Sequence, residues 1–110
     1  MAKFITVGYG DKRGYDRTAA AVRVAAHAHD ARLKARGALI GVAGPAVQVR
    51  NHDDAGTQTT SGPYMHSDLP IAGFAVIEAR DLEEAIALVA KTPCAVAGGV
   101  VEVWPLRDMP

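Results

Sequence analysis

The run Ile71-Ala72-Gly73-Phe74-Ala75-Val76-Ile77 constrains this chain more than any other segment, because its apolar residues fall at both parities. Successive side chains of a strand point to opposite faces, so a strand apolar at both parities has to be covered on both sides. What the rest of the sequence offers as cover therefore decides the architecture.

Residues 3–9 are β-rich and end at Gly8-Tyr9-Gly10-Asp11-Lys12-Arg13-Gly14, a cluster of turn formers and charges that breaks the strand. A helix is expected next, capped by Asp16 or Thr18, rich in alanine and closed by Gly37. A 3.6-residue period puts Val22, Ala25, Ala26, His29 and Leu33 on one stripe. The same period turns Arg23, His27, Asp30 and Lys34 elsewhere, so His29 is expected to face inward. Residues 38–50 read as extended and apolar, with a break at Gly44-Pro45. The polar turn Asn51 to Gly56 leads into Thr57-Gln58-Thr59-Thr60, which predicts a hairpin stopped by Ser61-Gly62-Pro63. Beyond the two-faced strand, Asp81 and Glu84 supply the cap and returning acid of a second helix, with Leu82, Ala85, Ile86 and Val89 as its buried stripe. Thr92-Pro93 ends that helix, and residues 98–104 form a last strand.

The order β-α-β-hairpin-β-α-β predicts a single α+β domain over residues 1–110, a ferredoxin-like βαββαβ antiparallel sheet with two helices on one face and an extra β-hairpin. Two helices roof one face only. Burying each Val or Phe of the other face contributes ~1.5–3 kcal/mol, so a second subunit is the expected cover and a homodimer the expected assembly. The alternative is that the extra hairpin folds back over the sheet.

Composition narrows the partners. Twelve basic residues balance twelve acidic ones, which leaves no net field to gather nucleic acid or an anionic membrane. Cys94 is the single cysteine, so no internal disulfide and no cysteine-rich zinc site can form. With too few apolar residues near Met1 for a signal core or a membrane span, a cytoplasmic location is expected.

The stretch Ala28-His29-Asp30-Ala31-Arg32-Leu33, then Gly37-Ala38-Leu39 and Gly44-Pro45, is similar to the YCII pattern of a helix histidine followed by a Gly-Pro break. Val47-Gln48-Val49-Arg50 through Ser61-Gly62-Pro63-Tyr64 resembles the strand, acidic turn and Asp-Gly-Pro-Phe signature of the DGPF-type branch. Residues 71–79, Asp81-Leu82-Glu83-Glu84-Ala85 and Val101-Glu102-Val103-Trp104-Pro105 continue the likeness, so nearly the whole chain resembles the YCII-related family. Ser61 and Tyr64 stand where the signature has aspartate and phenylalanine. The resemblance implies a dimeric α/β barrel with a pocket between sheet and helix. It also implies small-molecule lyase activity, as in a few relatives, or an association with stress response, as in others.

His29 is the leading candidate for chemistry, because an imidazole on an apolar stripe titrates near neutrality, and the family's helix histidine maps onto it. Asp53 or Asp54 would orient it as general acid or base in a lyase or isomerase, while the bland alternative is a core histidine bonded to backbone. Tyr9, Tyr64, His66, Phe74 and Trp104 are the candidate contacts for a small, largely apolar, cyclic or aromatic ligand. His52, Asp53, His66 and Asp68 are metal-ligand types, but their spacing suits a solvated loop better, and neither a metal nor a cofactor is expected. Cys94 has no activating base nearby in sequence and reads as a small hydrophobe. A non-catalytic ligand-binding or regulatory dimer is the second functional reading.

Overall fold

The computed structural model describes residues 1–109. Its main sheet has four antiparallel strands: β1 (Ala2–Tyr9), β2 (Leu39–Val42), β5 (Ile71–Ala79) and β6 (Val100–Leu106), in the order β2-β5-β1-β6. The chain reaches β2 through α1 (Lys12–Arg17) and α2 (Ala20–Ala35), and β6 through α3 (Leu82–Val89) and α4 (Pro93–Val96). This is the predicted ferredoxin-like order. The strand that is apolar at both parities, β5, is an inner one, paired with β2 on one side and β1 on the other.

Local chemistry explains most of the element ends. Asp81 Oδ1 accepts from Glu84 N at 2.9 Å, and the Glu84 carboxylate accepts from Arg80 N at 3.0 Å, so acids cap the start of α3 as predicted. Gly37, at φ 101°, closes the turn after α2. The two short helices are additions to the two expected. Asp11, read as part of a strand-breaking turn, caps α1 by accepting from Gly14 N at 2.9 Å. Pro93, read as a helix terminator, opens α4 instead, where its missing N–H leaves no bond unmade. α2 therefore starts at Ala20, and neither Asp16 nor Thr18 caps it; Thr18 Oγ1 donates back to Gly14 O at 2.8 Å and closes α1.

The core lies between one face of the sheet and α3. Phe4 of β1 faces Ile77 of β5, and Ala79, Ala85 and Val89 complete a buried cluster. On the other face a row of apolar side chains, Leu39, Val76, Ile5 and Trp104, crosses all four strands. Among the described residues no element covers it: Leu39 is 73% and Trp104 55% exposed.

The predicted hairpin forms from β3 (Val47–Arg50) and β4 (Gln58–Ser61), which pair with each other in a separate two-stranded sheet. Asn51 organises its turn by bonding Asp54 and Gly56 N, and Asp53 and Asp54 both adopt positive φ. The hairpin projects as an arm and does not fold over the open face. That projection explains a radius of gyration of 15.9 Å, against about 13 Å for a compact chain of this length.

Candidate functional site

Phe4 and Ile77 fill the space beneath α3, but two residues along from Phe4 the sheet carries Thr6, and then Gly8 facing Gly73 across the β1–β5 pair. With side chains missing from the floor, α2 spans an open space. The result is a cavity of about 570 Å³ between the sheet, α2, and the short helices α1 and α4. Its volume and its mainly apolar lining suit a small organic molecule. α1 packs against the end of α4, where a β-carbon on Gly14 would strike the Ala97 carbonyl.

The polar groups of the cavity come from four elements. α2 contributes His27, Asp30 and Lys34; α1 contributes Lys12 and Tyr15; α4 contributes Cys94; and β1 contributes Thr6. The Tyr15 hydroxyl and His27 Nε2 hydrogen-bond at 2.9 Å. With the phenol donating, the imidazole proton sits on Nδ1. Arg23 stacks its guanidinium 4.8 Å from the centre of the Tyr15 ring, and its buried Nε has no hydrogen-bond partner, so the ring face is its main compensation. Burial raises the Asp30 carboxyl above its ordinary pKa, against the lowering charges of His29, His27 and Lys34. Burial likewise raises the Cys94 thiol, and the charge of Asp30 adds to the effect. The thiol is therefore not activated.

His29 is placed differently. Its Nε2 lies 2.6 Å from Leu88 O. A carbonyl can only accept, so Nε2 carries a proton and ties α2 to α3, and His29 is not among the residues that line the cavity. Asp53 and Asp54 lie in the turn of the arm, and no hydrogen bond joins either to His29 among the described residues. Tyr9, Phe74 and Trp104 share the open face of the sheet, with Trp104 pairing four residues along β1 from Tyr9; of the three, Phe74 also borders the cavity. Tyr9 donates to Glu102 Oε1 at 2.7 Å, and this bond holds its phenol above the usual pKa. Tyr64 is exposed and lies beside the arm, with the Arg50 guanidinium 5.8 Å from its ring centre, and His66 is exposed in the following loop. Among the described residues no three His, Cys, Asp or Glu side chains converge as a metal site, and no helix is long and apolar enough to cross a membrane.

A family model described as the YCII-related domain matches residues 2–110. The chain belongs to the YCII-related family. No curated protein matches it closely enough to count as a relative. In this YCII-related chain the sequence reading missed His27, Asp30 and Thr6 as cavity residues. The signal for the first two was present: Arg23, His27, Asp30 and Lys34 stand at i, i+4, i+7 and i+11, a polar stripe that adjoins the buried one. Thr6 gave no such signal, because only the absence of side chains around it reveals a space.

Proposed function

We propose that this YCII-related domain, of the DGPF-type branch, binds a small, largely apolar cyclic or aromatic metabolite in the cavity above Gly8 and Gly73, and moves a proton there as a lyase or isomerase. The observation that carries the reading is the Tyr15–His27 hydrogen bond at the edge of a glycine-floored cavity. An imidazole hydrogen-bonded to a phenol is a suitable proton donor or acceptor, and the apolar walls give a bound ring a surface to pack on. In this reading His27 takes the proton-transfer role first sought in His29, while His29 positions α2 and Asp53 and Asp54 shape the arm.

The working unit in this proposal is a homodimer. Leu39, Val76, Ile5 and Trp104 support it as a contiguous apolar surface with no cover in the protomer, and the arm adds Val47 and Val49, the latter 65% exposed. An isolated two-stranded hairpin is marginal in water, so the arm too gains from a neighbour. The second reading is a regulatory dimer that binds in the same cavity without turnover.

The test is NMR of the labelled protein with simple ring compounds. Shifts confined to Gly8, Gly73, Ala75, His27 and Asp30 are expected, and shifts scattered over the surface would sink the assignment of the site. Once a substrate is found, His27→Ala should abolish turnover while leaving binding within about tenfold; full activity in that variant would leave only the binding reading.

A further inference from the structure

Most polar groups around the cavity already have partners. Asp11 caps α1, Lys12 pairs with Asp16 at 2.5 Å, Tyr15 and His27 bond to each other, and Thr92 Oγ1 donates to Val89 O at 2.6 Å. Of those that do not, Lys34 is exposed and the Cys94 thiol is a weak donor, which leaves two groups on opposite walls. Thr6, on the floor, is 5% exposed and is the one buried polar side chain among the described residues. Its hydroxyl makes no hydrogen bond to another described residue, although it lines the cavity. Asp30, in the roof, also lines the cavity and makes neither a hydrogen bond nor an ion pair among the described residues.

The Thr6 residue is buried, but its oxygen is not one of the fully buried unpaired atoms, so the hydroxyl reaches the cavity space without a protein partner, and Asp30 is a carboxylate partly withdrawn from water. A bound molecule can supply partners to both. An ionised carboxylate accepts and never donates, whereas a threonine hydroxyl does either. We propose, resting on the reading of the cavity as a binding site, that its ligand is a ring compound whose polar end carries an O–H or N–H donor, received by Asp30, with Thr6 pairing to the same end of the ligand. Deprotonated acids are disfavoured, because their oxygens would face the Asp30 carboxylate. The other charged and titratable groups around Asp30 do not replace the donor: His27 and His29 have partners, Lys34 is exposed, Lys12 is paired, and the Cys94 thiol is a weak donor.

The experiment compares phenol, anisole and benzoate at pH 7 by NMR titration of the full chain, in wild type and in Asp30→Ala and Thr6→Val. Phenol and anisole share a ring and differ in the O–H. A hydrogen bond to a charged acceptor is worth roughly ten- to a hundredfold in affinity. Wild type should therefore prefer phenol to both other probes by at least about tenfold, Asp30→Ala should reduce that preference to within about twofold, and Thr6→Val should lower it by a smaller factor. The wild-type comparison needs no variant to fold. Anisole or benzoate binding in the cavity as tightly as phenol, or a phenol preference that survives both substitutions, would overturn the donor assignment and leave the cavity a binding site. If none of the three bound, both readings would fall.

Discussion

The sulfur of Cys94 stands 3.0 Å from the point where a β-carbon on Gly8 would lie, so the side chain that β1 lacks is partly replaced from α4. The thiol does not fill the gap, and the remaining space is the cavity.

Gly8→Val should fill that space with a branched side chain pressed against Cys94. Overpacking of this kind costs about 1–3 kcal/mol, and the binding of ring compounds should weaken by more than about tenfold. Urea denaturation measures the first and NMR titration the second. Unchanged binding in a folded variant would place the ligand elsewhere.

The Cys94 thiol should alkylate slowly with iodoacetamide at pH 8, because burial and then the Asp30 charge hold its pKa above the ordinary value. Asp30→Asn removes the second cause and should raise the rate a few-fold. A rate profile identical in the two proteins would show that the carboxylate does not act on the thiol.

Asp30 also links stability to pH. Its carboxyl is raised in the folded state, chiefly by burial, so the fold binds this proton more tightly than the unfolded chain does. Its contribution is favourable below the unfolded pKa near 3.8 and is lost as pH rises through the folded value. Asp30→Asn should therefore be the more stable protein at pH 7, by less than about 1 kcal/mol since solvent screens a partly exposed carboxylate. The gap should close as the solution is acidified toward pH 4, which thermal melts across pH would follow.

His29→Ala removes the bond to Leu88 O that joins α2 to α3. A loss of about 1–2 kcal/mol in unfolding free energy is expected, with phenol affinity unaltered. A collapse of affinity with no loss of stability would return His29 to the centre of the chemistry.

Trp104→Glu places a charge in the row that also holds Ile5, Val76 and Leu39. Wild type should sediment as a dimer at low micromolar concentration, and the variant should dissociate with a Kd raised by at least about a hundredfold. A wild-type protomer that sediments alone would remove the dimer from the proposal.

The order of strands was legible because each carries its own signal. Residues 71–77 announced a strand with two apolar faces, Asp81 and Glu84 announced α3, and Asn51 to Gly56 announced the arm. α1 and α4 were hidden, being too short for a period to show. His29 does turn inward as its stripe predicted, and it takes the backbone-bonded alternative by bonding Leu88 O. Of the five residues assigned to the inward face of α2, only Ala26 and Leu33 are buried, while Val22 is 43% exposed. A helix that lies partly over a cavity can turn polar groups inward, so Asp30 and His27 face the space that an apolar stripe would otherwise claim.

A floor made of glycine backbone has no rotamers. Its contour belongs to the pairing of β1 with β5, and it cannot be resculpted residue by residue without disturbing the sheet: a β-carbon on Gly73 would lie 2.6 Å from the Gly41 carbonyl. Any drift in what this pocket accepts over evolutionary time would consequently be written in the helical ceiling, at positions 27, 30 and 34, while the ground beneath stayed the same.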